Sequence, residues 1–129
     1  MADYYTNLSF NLELPTEALD WIEAEVKGEQ SAKFEKKYGS ITGCNFERSD
    51  PKTLWISNDE SANINALSAV IQEALKKFNL KDKIGFKYAF TCSNPHLDAF
   101  GGGATVITKN SFDYISTSMW LDEKMKGKK

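Results

Sequence analysis

Residues 91–105 read TCSNPHLDAFGGGAT and hold the chain's single histidine, His96, one of its two cysteines, Cys92, and three consecutive glycines, Gly101, Gly102 and Gly103. Three chemistries suit such a set. The first is nucleophilic catalysis, in which His96 beside Cys92 or Ser93 would supply base and nucleophile, with Asp98 to orient the ring. Cys92 and His96 meet only if the loop between them folds back. The alternation of the preceding residues puts Cys92 on the apolar face with Phe90, where a thiol is core rather than reagent. No catalytic residue is assigned, and the balance leans away from an enzyme.

The second chemistry is metal binding. One histidine and two distant cysteines cannot complete a Cys₂His₂ site, and no CxxC or HxH spacing occurs. No metal and no cofactor is expected. The third is anion binding by the glycines, whose backbone N–H groups can crowd a phosphate. Known cradles place a helix directly after the loop, whereas β-branched TVIT follows here, with no Lys-Ser/Thr pair. A glycine run ahead of a strand more often marks a bulge, a positive φ or a close approach of two backbones. On that reading the stretch is a strand-to-strand connection, with Gly102 or a neighbour left-handed or bulged, and with Leu97 and Phe100 capping the core. The functional counterpart is a recognition surface on a loop held by rigid strands. Its candidate binding residues are Asn94, His96, Asp98, Phe100, Gly101, Gly102 and Gly103.

The elements that hold this loop are legible from periodicity. Leu8, Phe10, Leu12 and Leu14 alternate with polar residues, as on a half-buried strand. Pro15 and Thr16 open a helix with Ala18, Leu19, Ile22 and Val26 on one face. Residues 29–43 are ambiguous, a short helix or a loop. CNFER and TLWISN form a hairpin about Asp50–Pro51. Ile64, Leu67, Val70, Ile71, Ala74, Leu75 and Phe78 recur every three or four residues, a long helix with Asp59 or Ser61 as candidate cap. Ile84, Phe86, Tyr88, Phe90 and Cys92 alternate as a strand, and a further strand follows the glycines. Residues 113–121 read equally as strand or helix, and about 123–129 as a frayed basic tail. The order predicts one α+β domain over 1–129, a two-layer sandwich with two helices on one face of a mostly antiparallel sheet. The nearest arrangement is the split βαβ, or ferredoxin-like, pattern plus a C-terminal hairpin.

At 129 residues, 41% apolar and 26% charged, the chain can bury a core without staples. Its net charge of −2 argues against a nucleic-acid partner met by a broad basic face. No apolar run spans a membrane, and MADYYTNLSF is no secretory signal, so a cytoplasmic protein with reduced thiols is expected, a disulfide being the alternative. Residues 1–30 carry seven acids against one base, Lys27, while the remainder is net basic. That acidic stretch is either a solvated helix face or a surface that steers a basic partner.

YYTNLSF, LWISNDESANINALSAVIQEAL, GFKYAFTCSNPHLDAFGGGATVIT and STSMWL together resemble a family of small uncharacterised proteins of bacteria, phages and plasmids, most distinctively over Phe100–Thr108. The resemblance implies an accessory protein of a mobile element or its host, and no activity, cofactor or site residue. The expectation is a non-enzymatic binding or regulatory protein that acts on a protein partner, a host factor or defence system among the possibilities. The alternative is a binding protein or enzyme for a small nucleotide-like or anionic ligand, held at the His96–Gly103 loop.

Overall fold

The computed structural model describes residues 4–27, 36, 43–58, 61–92 and 101–127. The first alternating run forms two strands in line, β1 (Tyr4–Asn7) and β2 (Ser9–Glu13), interrupted at Leu8. α1 (Thr16–Lys27) starts at Pro15, whose carbonyl accepts from the N–H groups of Ala18 and Leu19 at 3.0 and 3.2 Å. Its predicted apolar face, Ala18, Leu19, Ile22 and Val26, is buried. β3 (Cys44–Asp50) and β4 (Thr53–Asn58) make the predicted hairpin, with Asp50 Oδ1 accepting from Lys52 N at 2.8 Å to close the turn.

α2 (Ile64–Lys77) is the long helix, with Leu67, Val70, Ile71, Ala74 and Leu75 in the core. Ile64 and Phe78, expected to be buried, are only half-buried because they sit at the two ends of the helix. The cap is neither Asp59 nor Ser61. Asn63 Oδ1 accepts from Ala66 N at 3.1 Å, while Ser61 Oγ accepts from Thr6 N at 2.9 Å, and Asp59 lies outside the described residues. Asn79, at φ 50°, ends the helix in the left-handed conformation that asparagine tolerates.

β5 (Ile84–Cys92), β6 (Gly101–Ile107) and β7 (Phe112–Ser116) form an antiparallel meander, followed by α3 (Thr117–Gly127). Residues 113–121 are thus both strand and helix, with the change at Ser116–Thr117, and residues 123–127, expected to fray, are helical. Most of the ambiguous 29–43 stretch lies outside the described residues.

The class is α+β. In place of one continuous sheet, the hydrogen bonding divides into a four-stranded sheet ordered β1-β5-β6-β7 and a three-stranded sheet ordered β2-β4-β3. Every described pairing is antiparallel. β2 and β3 therefore run parallel with β4 between them, joined through α1. β4 and β5 run parallel with the β1–β2 line between them, joined through α2. The β2–α1–β3 crossover skips one strand, β4, within its sheet, whereas α2 joins strands of the two different sheets.

The division falls at Leu8, whose carbonyl still accepts from Asn58 N at 3.2 Å while side chains take the remaining bonds. Leu8 N donates to Asn58 Oδ1 at 3.1 Å, Asn58 Nδ2 to Asn7 Oδ1 at 2.8 Å, and Asn7 Nδ2 to Thr91 Oγ1 at 2.8 Å. Phe10 of β2 stacks on Phe86 of β5 with ring centroids 4.6 Å apart, so apolar packing is continuous across the break. α1 and α2 share one core cluster with Leu12, Leu54, Ile56, Phe86 and Ile107 on the inner face. The outer face stays open, with Ser9, Asn11, Glu13, Gly85, Lys87 and Ala89 exposed.

Candidate functional site

The glycine triplet is strand, not loop. Gly101, Gly102 and Gly103 open β6 opposite Phe90, Ala89 and Tyr88 of β5 in unbroken register. None of the three is left-handed and no bulge occurs there, so both of those expectations are corrected. Close approach is what requires glycine. A Cβ on Gly103 would lie 2.5 Å from the Ile115 carbonyl oxygen and 2.7 Å from the Tyr88 hydroxyl, and one on Gly102 would lie 2.6 Å from the Tyr88 carbonyl oxygen. Tyr88, directly opposite Gly103, lays its ring over the missing side chain. At the start of β6, Gly102 N donates to Thr117 Oγ1 at 3.0 Å, which ties the first turn of α3 to this strand.

Two depressions flank these residues. One, about 410 Å³, is floored by Gly101–Ala104 and walled by Lys87, Ile115 and Trp120. The other, about 580 Å³, lies at the start of α2 between Asn63 and Asn65 and the rings of Tyr88, Phe90, Phe112 and Tyr114. The sequence pointed to the glycines but not to the walls. Those belong to β7 and α3, which present the least expected surface of the molecule. Phe112, Tyr114 and Ile115 of β7 are exposed, as are Met119, Trp120, Leu121 and Met125 of α3. Tyr114 is 60% exposed, Trp120 50% and Met125 65%, where apolar side chains of this size normally bury most of their area. The signal was present in Met119-Trp120-Leu121, three consecutive apolar residues that no single face of a helix can bury.

Of the seven candidate residues, Asn94, His96, Asp98 and Phe100 lie outside the described residues, as do any contacts of His96 with Cys92 or Asp98. Gly101, Gly102 and Gly103 come together with Tyr88, Thr117 and Trp120 instead. The cysteines both lie on strands as expected, and Cys44 carries a free thiol. Burial pushes that thiol's pKa up, with a smaller opposing effect from a backbone hydrogen bond at Asn63. This is the reverse of an activated nucleophile. Among the described residues, no group of three or more His, Cys, Asp and Glu side chains gathers at one point. No helix among them is long and apolar enough to cross a membrane.

The acidic first helix is partly engaged within the fold. Arg48, the chain's only arginine, reaches from β3 to α1. Its Nη2 lies 2.7 Å from Asp20 Oδ1, and its Nε donates to Glu23 Oε1 at 2.7 Å. Two of the seven acids in residues 1–30 are therefore not free to steer a basic partner.

Comparisons with protein-family models, curated proteins and solved structures gave no match to this chain.

Proposed function

We propose that this protein is a non-enzymatic binding protein that works by protein–protein contact, with β7 and α3 as its contact surface. The observation that carries the reading is the row of exposed apolar side chains from Phe112 to Met125. Desolvating large apolar side chains supplies most of the energy of protein association, and aromatic anchors dominate it. The same residues add little to the chain's own core, so their retention at the surface is accounted for by a partner. Modulation of a host factor or a defence system is the form such contact would take in the setting the family resemblance implies.

The test is capture of partners from a host lysate by the tagged chain. Trp120→Ser and Leu121→Ser should abolish capture while the melting temperature stays within about two degrees, as for surface changes outside the core. His96→Ala and Phe100→Ala, run beside them, test the loop that the sequence singled out. Capture lost only in the loop pair would move the contact surface away from β7 and α3. Capture unchanged in all four would remove the reading.

The depression over the glycines favours a second reading, a small-ligand site. Three of the four floor residues are glycines, and Lys87 stands on its wall. A nucleotide-like or anionic ligand binding there would raise the melting temperature with ligand concentration by mass action. Lys87→Ala should cancel that rise.

A further inference from the structure

The four-stranded sheet ends on β1 and β7 and the three-stranded sheet on β2 and β3. β1 and β2 follow each other in line at the join, so β3 and β7 are the edges that lie away from it. They are built differently. β3 carries Glu47, Arg48 and Asp50, and its register slips between Arg48 and Asp50. Charges and an irregular register are the usual protection of an edge against pairing with another chain. β7, FDYIS, has one charge, no proline and an unbroken register with β6. Both of its faces are exposed, Phe112 and Tyr114 on one side and Ile115 on the other. α3 runs on directly from it and packs chiefly against β6 and β7. Helices of only 11 residues rarely hold in water without packing, yet most of α3's apolar side chains face solvent.

We infer that a second copy of this chain covers this surface, β7 pairing antiparallel with its twin about a two-fold axis at Tyr114. The inference rests on the contact reading above and names the partner. Three features select a second copy. An antiparallel pair centred on Tyr114 sets Tyr114 against itself, Phe112 against Ser116 and Asp113 against Ile115, so no like charges stand directly opposite. α3 carries Asp122 and Glu123 beside Lys124 and Lys126, a neutral and self-complementary set in which the acids of one copy can face the bases of the other. The exposed apolar area is of the right order. Aromatic side chains each offer roughly 150–250 Å², so seven large apolar side chains at about half exposure present at most on the order of 700 Å² over both faces of β7 and around α3, against the ~800 Å² each partner gives a stable interface. The contact is isologous, closes on itself and buries the unprotected edge.

The experiment is sedimentation and light scattering of the full chain across the micromolar range. The expected mass is twice the 14.5 kDa of one chain. Tyr114→Lys and Tyr114→Glu should each be monomeric, their dissociation constants raised roughly 100-fold or more by like charges meeting at the axis. Mixed together they should restore a dimer, because only a residue that faces its own copy can be rescued by the opposite charge at the same position. Met125→Lys provides the check on α3 should the strand variants misfold, and it too should be monomeric. A wild-type monomer overturns the second copy. If Trp120→Ser still abolishes lysate capture in that case, the contact reading stands with a different partner. A dimer that survives Tyr114→Lys and Met125→Lys overturns the pairing at this surface, and unchanged capture as well would overturn the contact reading.

Discussion

Gly103 and Cys44 are two residues on which local geometry makes direct demands. Alanine at Gly103 would press its methyl group on the Ile115 carbonyl of the neighbouring strand and on the Tyr88 ring, and a paired backbone cannot give way as a flexible side chain can. Gly103→Ala should therefore cost about 1–3 kcal/mol in denaturant unfolding, as overpacking does. Gly85 supplies the control. A Cβ there meets only the Thr105 carbonyl oxygen at 3.6 Å and Val106 Cγ2 at 3.8 Å, so Gly85→Ala should stay within about 0.5 kcal/mol of wild type. Cys44 answers to pH. Its thiol pKa is raised on folding, so the fold holds that proton more tightly than the unfolded chain does. The resulting stability is complete below the ordinary thiol value of 9.0 and is lost as pH rises through the folded value. In a Cys92→Ser background, native Cys44 should alkylate at pH 8 more slowly than in urea, since only the thiolate reacts and folding disfavours it. Equal rates would show an accessible thiol.

Among the elements, α1 is held to the edge strand β3 by one arginine. Arg48 and Glu23 are mostly shielded, with side chains 23% and 25% exposed, while Asp20 is 66% exposed. Solvent screens the Asp20 contact far more than the Glu23 contact. Glu23→Ala should thus cost about 1 kcal/mol, and Asp20→Ala less than about 0.5 kcal/mol, the latter vanishing in high salt. A double-mutant cycle with Arg48→Ala isolates each pair, and equal coupling energies would contradict the burial difference. The join at Leu8 has a similar logic. Asn58 and Asn7 take over where the β1 and β2 ladders part, so the sheet changes partners without leaving Leu8 N unsatisfied.

For the whole molecule, the division of labour is between a well-buried half and an open arm. α1, α2 and the inner faces of β2, β4 and β5 form the core, while β7 and α3 spend little apolar area on it. If a second copy covers that arm, association stabilises the folded state by mass action, and the melting temperature depends on concentration. Each tenfold rise in protein should then raise the calorimetric melting temperature in wild type and leave that of Tyr114→Lys unchanged. A wild-type midpoint independent of concentration would mean that association contributes nothing to the fold.

Helices and strands whose apolar faces are buried were legible in the sequence, because burial on one face imposes a period on residue type. Ala18-Leu19-Ile22-Val26, the α2 stripe and the alternation through Leu8 to Leu14 all announce their partners in this way. The α+β class follows from the order of those patterns. Other features depended on residues far apart in the chain. Asn63, directly before Ile64, is the cap, while Ser61 lies farther upstream and accepts from Thr6 of β1. The glycines are strand because β6 pairs with β5 and β7, and they are glycine because Tyr88 and Ile115 leave no room for a side chain at Gly103, neither of which a local pattern encodes. The stretch from Phe112 to Met125 had no clear period because neither β7 nor α3 turns a single apolar face to the core. Periodicity records which side of an element meets the chain's own interior. Where the apolar surface faces outward, only the tertiary structure shows that it was left uncovered.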